Sequence, residues 1–376
     1  MKKIGGLICS VFAFLFTNAQ EPFLIVGTYT STGSDGIYVY QFNEQTGDAT
    51  KMSYAKISNP SFLVVSPDMK FVYAVNEDNS GSVSAFSFNK DSAKLSFINQ
   101  TISGGVHPCY INIGKGGKYV ITGNYSSGSI AVSGINYNGS VSQPRQIIQH
   151  KGKGVNEKRQ EGPHVHSVVF SPDYKYLFAP DLGLDKIMAY KVAPESGALS
   201  PAEPSFVQVK PGAGPRHFEF HPNGKFAYLM EEMSGAVSVF KYEEGKLNFL
   251  QNISSHPLSF EGDKGSADIH VSPDGRFLYC SNRGDANSIA IFSINQETGM
   301  LRITGFQPTL GLHPRNFTID PTGNFLLVAN RDSDEIVIFK IDKQTGLLED
   351  TKKRIPVLKP VCLKWIVKIS PYAKWK

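Results

Sequence analysis

Histidine, arginine and glutamate stand at matching points along this chain, and together they make a set that can act on an ester. His166, Arg216, Glu232 and Arg283 are the leading candidates. A histidine can take a proton near neutral pH. An arginine can hold a carboxylate or phosphate through two parallel hydrogen bonds, or face a developing oxyanion. A glutamate can orient a histidine or a water, and acts as an acid if its pKa is raised. This combination suits opening of an activated ester by water and needs no metal and no cofactor. Other chemistries are poorly represented. The chain has no P-loop, no dinucleotide-binding glycine pattern, no His-Glu-x-x-His and no Gly-x-Ser-x-Gly elbow. Cys109, Cys280 and Cys362 are scattered, which argues against a zinc thiolate site and for small buried residues.

The elements that must position these residues are visible as a repeat. An aromatic followed by a short apolar run begins at Phe23, Phe71, Tyr119, Tyr176, Phe226, Phe277 and Phe325, at intervals of 48, 48, 57, 50, 51 and 48 residues. A turn cue precedes most copies, as in Ser66-Pro-Asp, Ser171-Pro-Asp, His221-Pro-Asn-Gly and Ser272-Pro-Asp-Gly. Alternating segments such as Val237-Ser-Val-Phe and Ile336-Val-Ile-Phe follow, and then a glycine turn such as Thr298-Gly-Met-Leu. Period-two alternation argues for strands. Each copy of about 50 residues then holds four strands and no helix, the content of one β-propeller blade. The expected fold is all-β, a seven-bladed propeller of four-stranded blades. The first copy lacks its leading strand, and Lys359-Pro-Val-Cys-Leu-Lys-Trp offers one at the other end of the chain. The C-terminal segment is therefore expected to complete the first blade and close the ring, removing exposed sheet edges.

In such a blade the first strand lines the central channel and the second runs back beside it. The start of the first and the end of the second meet at one mouth. Strand starts bring His107, His164, His166, Arg216, His217, His313 and Arg315 there. Strand ends bring Asn76, Glu77, Asn124, Tyr125, Asp181, Glu231, Glu232, Asn282, Arg283, Asn330 and Arg331. His164, His217, Asn282, Arg315 and Arg331 join the leading set as candidate substrate-binding residues. His107, His217 and His313 also suit a structural role at blade junctions, and Arg315, Arg331 and Glu77 suit ion pairs between blades. The long interval before the fourth blade marks an insertion, Gln143 to Pro163, carrying Arg145, Lys151, Lys153, Lys158 and Arg159. It reads either as a lid or anion-binding loop at the mouth or as a solvated surface loop.

Composition sets the outer limits. Hydrophobic residues are 41% and charged residues 19% of 376, an ordinary globular balance. Lys+Arg 38 against Asp+Glu 33 gives +5, which falls to +3 without Lys2 and Lys3, too little for a nucleic-acid footprint. Those two lysines precede a thirteen-residue apolar run, Ile4 to Phe16, and the small residues Thr17-Asn18-Ala19. This is the layout of a secretory signal peptide over residues 1–20, the run being short for a membrane span. The expected location is a bacterial periplasm or the exterior, with no stable membrane span after cleavage. The propeller is expected over 21–367 and a basic tail over 368–376.

The seven copies, with Pro163-His-Val-His-Ser-Val, Gly214-Pro-Arg-His-Phe, Ala267-Asp-Ile-His-Val-Ser-Pro-Asp-Gly and Ser281-Asn-Arg-Gly, resemble the seven-bladed propeller lactonases. That family includes propeller-type 6-phosphogluconolactonases and the carboxy-cis,cis-muconate cyclases. The resemblance spans about Phe23 to Trp365. It implies a site at the mouth of one histidine, two arginines and one glutamate, falling on His166, Arg216, Glu232 and Arg283, with Glu231 one position away from the glutamate. It further implies a lactone hydrolase, in which Arg216 and Arg283 grip the lactone carbonyl and an anionic group, His166 activates water, and Glu232 orients it or moves a proton. A cyclase of an unsaturated dicarboxylate and a non-enzymatic binding module are the competing expectations. The implied partner is a small lactone or sugar acid, bound by a monomer. The export signal fits an unphosphorylated sugar lactone better than 6-phosphogluconolactone.

Overall fold

The computed structural model describes residues 21–367; the expected leader, 1–20, and basic tail, 368–376, lie outside them. The described chain forms seven antiparallel four-stranded sheets, each a blade, arranged as a ring. Six blades are built from consecutive strands. The first combines Phe23–Thr28, Gly36–Phe42 and Ala49–Lys56 with Pro360–Ile366, whose residues pair Ile25 with Lys364 and Val26 with Leu363. The expected closure of the ring by the C-terminal strand is thus present, and every inner edge faces the channel.

The repeated residues have separate structural tasks. The second strands, such as Phe226–Glu231 and Phe277–Asn282, are buried along their whole length between neighbouring blades. Leu24, Val26 and Phe42 of the first blade pack with Phe325, Leu327 and Ile338 of the last, so the same apolar seam seals the joint where the chain ends meet. In six of the seven blades the leading aromatic fits under a glycine in the third turn of the next. Gly299 adopts φ +73° there, and a Cβ on it would lie 2.4 Å from the Phe226 ring. Only glycine satisfies both the left-handed backbone and the close approach. Gly47 repeats the arrangement over Phe325 across the ring closure.

The Ser-Pro-Asp turns are structural, at the end of the blades opposite the polar mouth. Ser272 Oγ donates to Asp274 Oδ1 at 2.6 Å and accepts from the Phe277 amide at 3.0 Å. Ser66 and Ser171 repeat both bonds.

The insertion is shorter than its sequence suggested. Gln143 to Gln149 belong to the outer strand Val141–Gln149 of the third blade, with alternating exposure, so Arg145 lies on the blade and not at the mouth. Residues 150–163 alone form the loop. Both ends of this loop are tied to one buried carboxylate. Asp181 Oδ2 meets His150 Nδ1 at 2.6 Å, and Oδ1 accepts the His164 amide at 2.7 Å. The other face of His150 contacts the Tyr190 hydroxyl at 2.8 Å. This staple interrupts the inner strand of the fourth blade. Regular pairing begins at Val169, and His164–Val168 touch the sheet through a single Val165–Asp181 bridge.

Candidate active site

One hydrogen bond per blade builds the mouth. The amide just after each second strand donates to the carbonyl just before the first strand, at 2.7–3.3 Å. The amides belong to Tyr29, Glu77, Tyr125, Leu182, Glu232, Arg283 and Arg331, and the carbonyls to Lys359, Asn59, His107, His164, Gly214, Gly265 and His313. Seven side chains are thereby held at equivalent points around the opening. His107 and His313 take left-handed backbone, φ 49° and 59°, to make this turn. The inner strands then place a second layer just below, including Cys109, His166, Arg216 and Arg315, and a third with Tyr110, His217, Asp268 and Asn316.

The mouth opens into a cavity of about 540 Å³, ample for a small ligand. His166, Glu232, Arg283, Arg315, Arg159 and Glu77 are among the residues that line it. Glu232 is the hub. Its Oε2 meets Arg216 Nε at 2.9 Å and Arg283 Nη2 at 3.0 Å, and its Oε1 meets Arg159 Nη2 at 2.6 Å. His166 Nε2 stands 3.8 Å from Oε2. Burial alone would raise the Glu232 carboxyl, but Arg283 and Arg216 outweigh it and hold the group ionised, well below its ordinary range. Burial, reinforced by Arg216, pushes His166 well below its ordinary pKa and keeps the imidazole neutral. Arg216 itself falls to about 10, through burial and the nearby Arg283. The site therefore offers a neutral base beside a fixed carboxylate, under several guanidinium groups.

The chain matches the family model described as lactonase, 7-bladed beta-propeller, over residues 23–365. It belongs to that family. A relative named 6-phosphogluconolactonase from Formosa agariphila is 40% identical over 341 residues, covering 89% of this chain and 96% of that one. The relative of the same name from Bacillus subtilis is 37% identical, over 91% and 97%. The solved structure of a periplasmic gluconolactonase from Pseudomonas aeruginosa superposes with a TM-score of 0.89 at 39% identity, covering 93% of this chain and 99% of that one.

Within this lactonase the four leading residues come together, but not at equal depth. Arg216 is 1% exposed and lies behind Glu232, with Nη1 on the Ala267 carbonyl at 2.5 Å. The arginines facing the cavity are Arg283, Arg315 and Arg159. Glu231 and Glu232 separate cleanly, because neighbours on a strand point to opposite sides. Glu231 is buried in the blade, bound by Ser234, Ser238 and Asn252 at 2.5, 2.6 and 3.0 Å.

Several candidate substrate contacts lie elsewhere. Asn282 occupies the same inward position as Glu231 and is fully buried, donating to the Ser255 carbonyl at 2.7 Å. His164 stacks on Tyr125 with centroids 4.5 Å apart, its Nδ1 against the Tyr125 carbonyl at 3.1 Å and its Nε2 near Glu161. Arg331 turns to the rim, where Asp332 binds Nε at 2.9 Å and Nη2 at 2.8 Å. His217 sits one layer below the cavity, its Nδ1 2.6 Å from Asp268 and its ring edge-on to His166. Burial and Arg216 drive it down to about 3, so it is neutral. Arg315 does line the cavity, 3.6 Å from Glu77 and over the Tyr29 ring.

Other cavity residues are not singled out as site candidates by the sequence, although their strand ends place Glu77 and Tyr125 at the mouth and Arg159 stands on the insertion. Glu77 and Tyr125 are the counterparts of Glu232 in their own blades, so the repeat register alone marks them. Tyr29 donates to Glu77 at 2.9 Å from the same ring of positions. Cys109 lines the cavity with Sγ 3.8 Å from His166 Nδ1, its thiol pushed up by burial. Arg159 and Asn156 come from the insertion, where spacing carries no such register.

Proposed function

We propose that this lactonase opens the ring of a sugar lactone with water, using His166, Glu232, Arg283 and Arg216. The observation that carries this reading is neutral His166 3.8 Å from a Glu232 carboxylate that arginines hold ionised, both facing one cavity. His166 takes a proton from the attacking water as oxygen bonds to the lactone carbonyl carbon. Glu232 stabilises the imidazolium that forms. Arg283 faces the oxyanion of the tetrahedral intermediate. The intermediate collapses with cleavage of the ring C–O bond, and the His166 proton passes to the leaving oxygen. The product is the open hydroxy acid. Arg216 positions Glu232 and does not itself touch substrate.

The test is acid release from gluconolactone and 6-phosphogluconolactone by the purified protein, above spontaneous hydrolysis. His166→Asn and Glu232→Gln are each expected to lower kcat by about 100-fold or more. Absence of turnover by the parent protein on both lactones refutes the reading.

Export belongs to the same proposal, supported by the Lys2-Lys3 start and the Ile4–Phe16 run, and by the likeness to a periplasmic gluconolactonase. No helix among the described residues is long and apolar enough to cross a membrane. A monomer is the expected working state, because ring closure leaves the propeller no open inner edge. Cell fractionation and sedimentation test these two points.

A further inference from the structure

Arg159 is the arginine of this site that the repeat does not supply. It stands on the 150–163 loop and its side chain is 46% exposed, against 1% for Arg216 and 11% for Arg283. Its Nη2 donates to Glu232 Oε1 at 2.6 Å and reaches the Tyr125 hydroxyl at 3.3 Å. The two oxygens of Glu232 therefore have different holders. Oε2 rests on the buried pair Arg216 and Arg283, whereas among the described residues Oε1 is bound by Arg159. If Arg159 leaves, the Glu232 charge remains compensated by two arginines.

The surroundings favour such a departure when an anion arrives. Arg159, Arg283 and Arg315 line the cavity against the carboxylates Glu77, Glu232 and Asp263, and Arg216 adds a fourth guanidinium behind Glu232. His166 and His313 add no charge, His313 being driven down to about 3 by burial and Arg283. The lining itself balances, three guanidinium groups against three carboxylates, and Arg216 buried behind Glu232 leaves the site one positive charge in excess, which favours an anionic ligand. Arg159 is the outermost of the guanidinium groups bound to Glu232 and the first that an entering anion meets.

We infer that Arg159 exchanges partners during binding, leaving Glu232 Oε1 for an anionic substituent of the lactone and so freeing Oε1 to accept a hydrogen bond from the attacking water. This rests on the lactonase reading above and makes Arg159 a specificity-determining residue. A phosphate or a carboxylate on the lactone serves equally as the trigger, since both match a guanidinium. A neutral lactone leaves Arg159 on Oε1 and the carboxylate blocked. Discrimination then shows in kcat as well as in KM, because the anion's binding energy is used to prepare the catalytic carboxylate.

The experiment compares the parent protein, Arg159→Ala and Arg159→Lys on 6-phosphogluconolactone, glucaro-1,4-lactone and gluconolactone, with spontaneous hydrolysis subtracted. The parent is expected to prefer one of the two anionic lactones, and that preference identifies phosphate or carboxylate as the trigger. Arg159→Ala is expected to lower kcat/KM on the preferred anionic lactone by about 10- to 100-fold. It raises kcat on gluconolactone, because the block on Oε1 is gone. Arg159→Lys keeps part of the anion preference. Two results overturn the inference: a parent that prefers neither anionic lactone over gluconolactone, or an Arg159→Ala loss of equal size on all three. A parent inactive on every lactone overturns the lactonase reading itself.

Discussion

Replacing Glu232 by glutamine should cost stability as well as activity, and the structure sets the size of the loss. The substitution keeps the shape of the side chain but removes the charge that Arg216 and Arg283 share at 2.9 and 3.0 Å. Both guanidinium groups are then left buried without their counter-charge. Arg216 bears most of this, since it is 1% exposed and has no route to water. Removing one partner of a buried ion pair typically costs 3–5 kcal/mol, and an amide that still accepts a hydrogen bond brings Glu232→Gln to about 3 kcal/mol. The Arg159–Glu232 contact is different, because Arg159 is half in solvent, and Arg159→Ala should cost only about 0–1 kcal/mol. Guanidinium unfolding followed by fluorescence measures both, with the two midpoints compared at a common slope. The pH dependence supplies a second reading. The folded Glu232 pKa lies below its ordinary 4.5, so its stabilisation is present above that pH and fades as pH falls through the folded value. Glu232→Gln should remove this part of the acid limb. A variant as stable as the parent, or more stable, refutes the view that the carboxylate compensates buried arginines. It would show instead that the site holds Glu232 under strain.

The remaining predictions concern other layers of the molecule. Gly299→Ala should destabilise by about 1–3 kcal/mol in thermal or denaturant unfolding while leaving lactone turnover per folded molecule intact, because a Cβ would meet the Phe226 ring far from the mouth. Parent kcat/KM should stay level as pH falls from 8 through 6.5, where an ordinary histidine protonates, since His166 stays neutral there; a fall centred on 6.5 in the pH–rate profile contradicts that assignment. At the far end of the channel, burial opposes protonation of His270, but Asp268 and Glu219 raise it to about 10. Its stabilisation is full below 6.5 and is lost as pH rises through about 10, so His270→Gln should flatten the alkaline limb of stability measured between pH 8 and 11.

How far the sequence could be read depended on whether a residue belonged to the repeat. Propeller blades are specified by local features, namely a turn, an aromatic, an alternating strand and a glycine, and each recurs often enough to reveal its register. That register even carried the ring closure, since Cys362 and Leu363 occupy the inner-strand positions that the first blade lacks. It also sorted side chains to the correct end of the channel, because the mouth is defined by one backbone hydrogen bond per blade. What register does not give is direction around a turn. Glu231 and Glu232, or Asn282 and Arg283, are adjacent in sequence, yet one of each pair enters the blade and the other faces the opening. Strand alternation separates them only once the last paired residue is known.

The insertion fails for a deeper reason. Its geometry is set by Asp181, a residue eighteen positions beyond Pro163, which fastens both His150 and the His164 amide. Nothing in residues 150–163 announces that anchor, and nothing in their spacing singles out Arg159 from Lys151, Lys153 or Lys158. Yet it is this non-repeated segment that reaches Glu232. In a ring of seven similar blades, the repeat supplies a mouth lined by equivalent positions, and chemistry needs one side of that mouth to differ from the others. Two devices make it differ here: the residues at equivalent positions diverge, as Tyr29, Glu77, Glu232 and Arg283 show, and the inserted loop adds a guanidinium where no blade could place one. The first device is written in register and can be read from sequence. The second is a contact between segments 73 residues apart, made through a loop fixed by a third, and only the folded chain brings those three together.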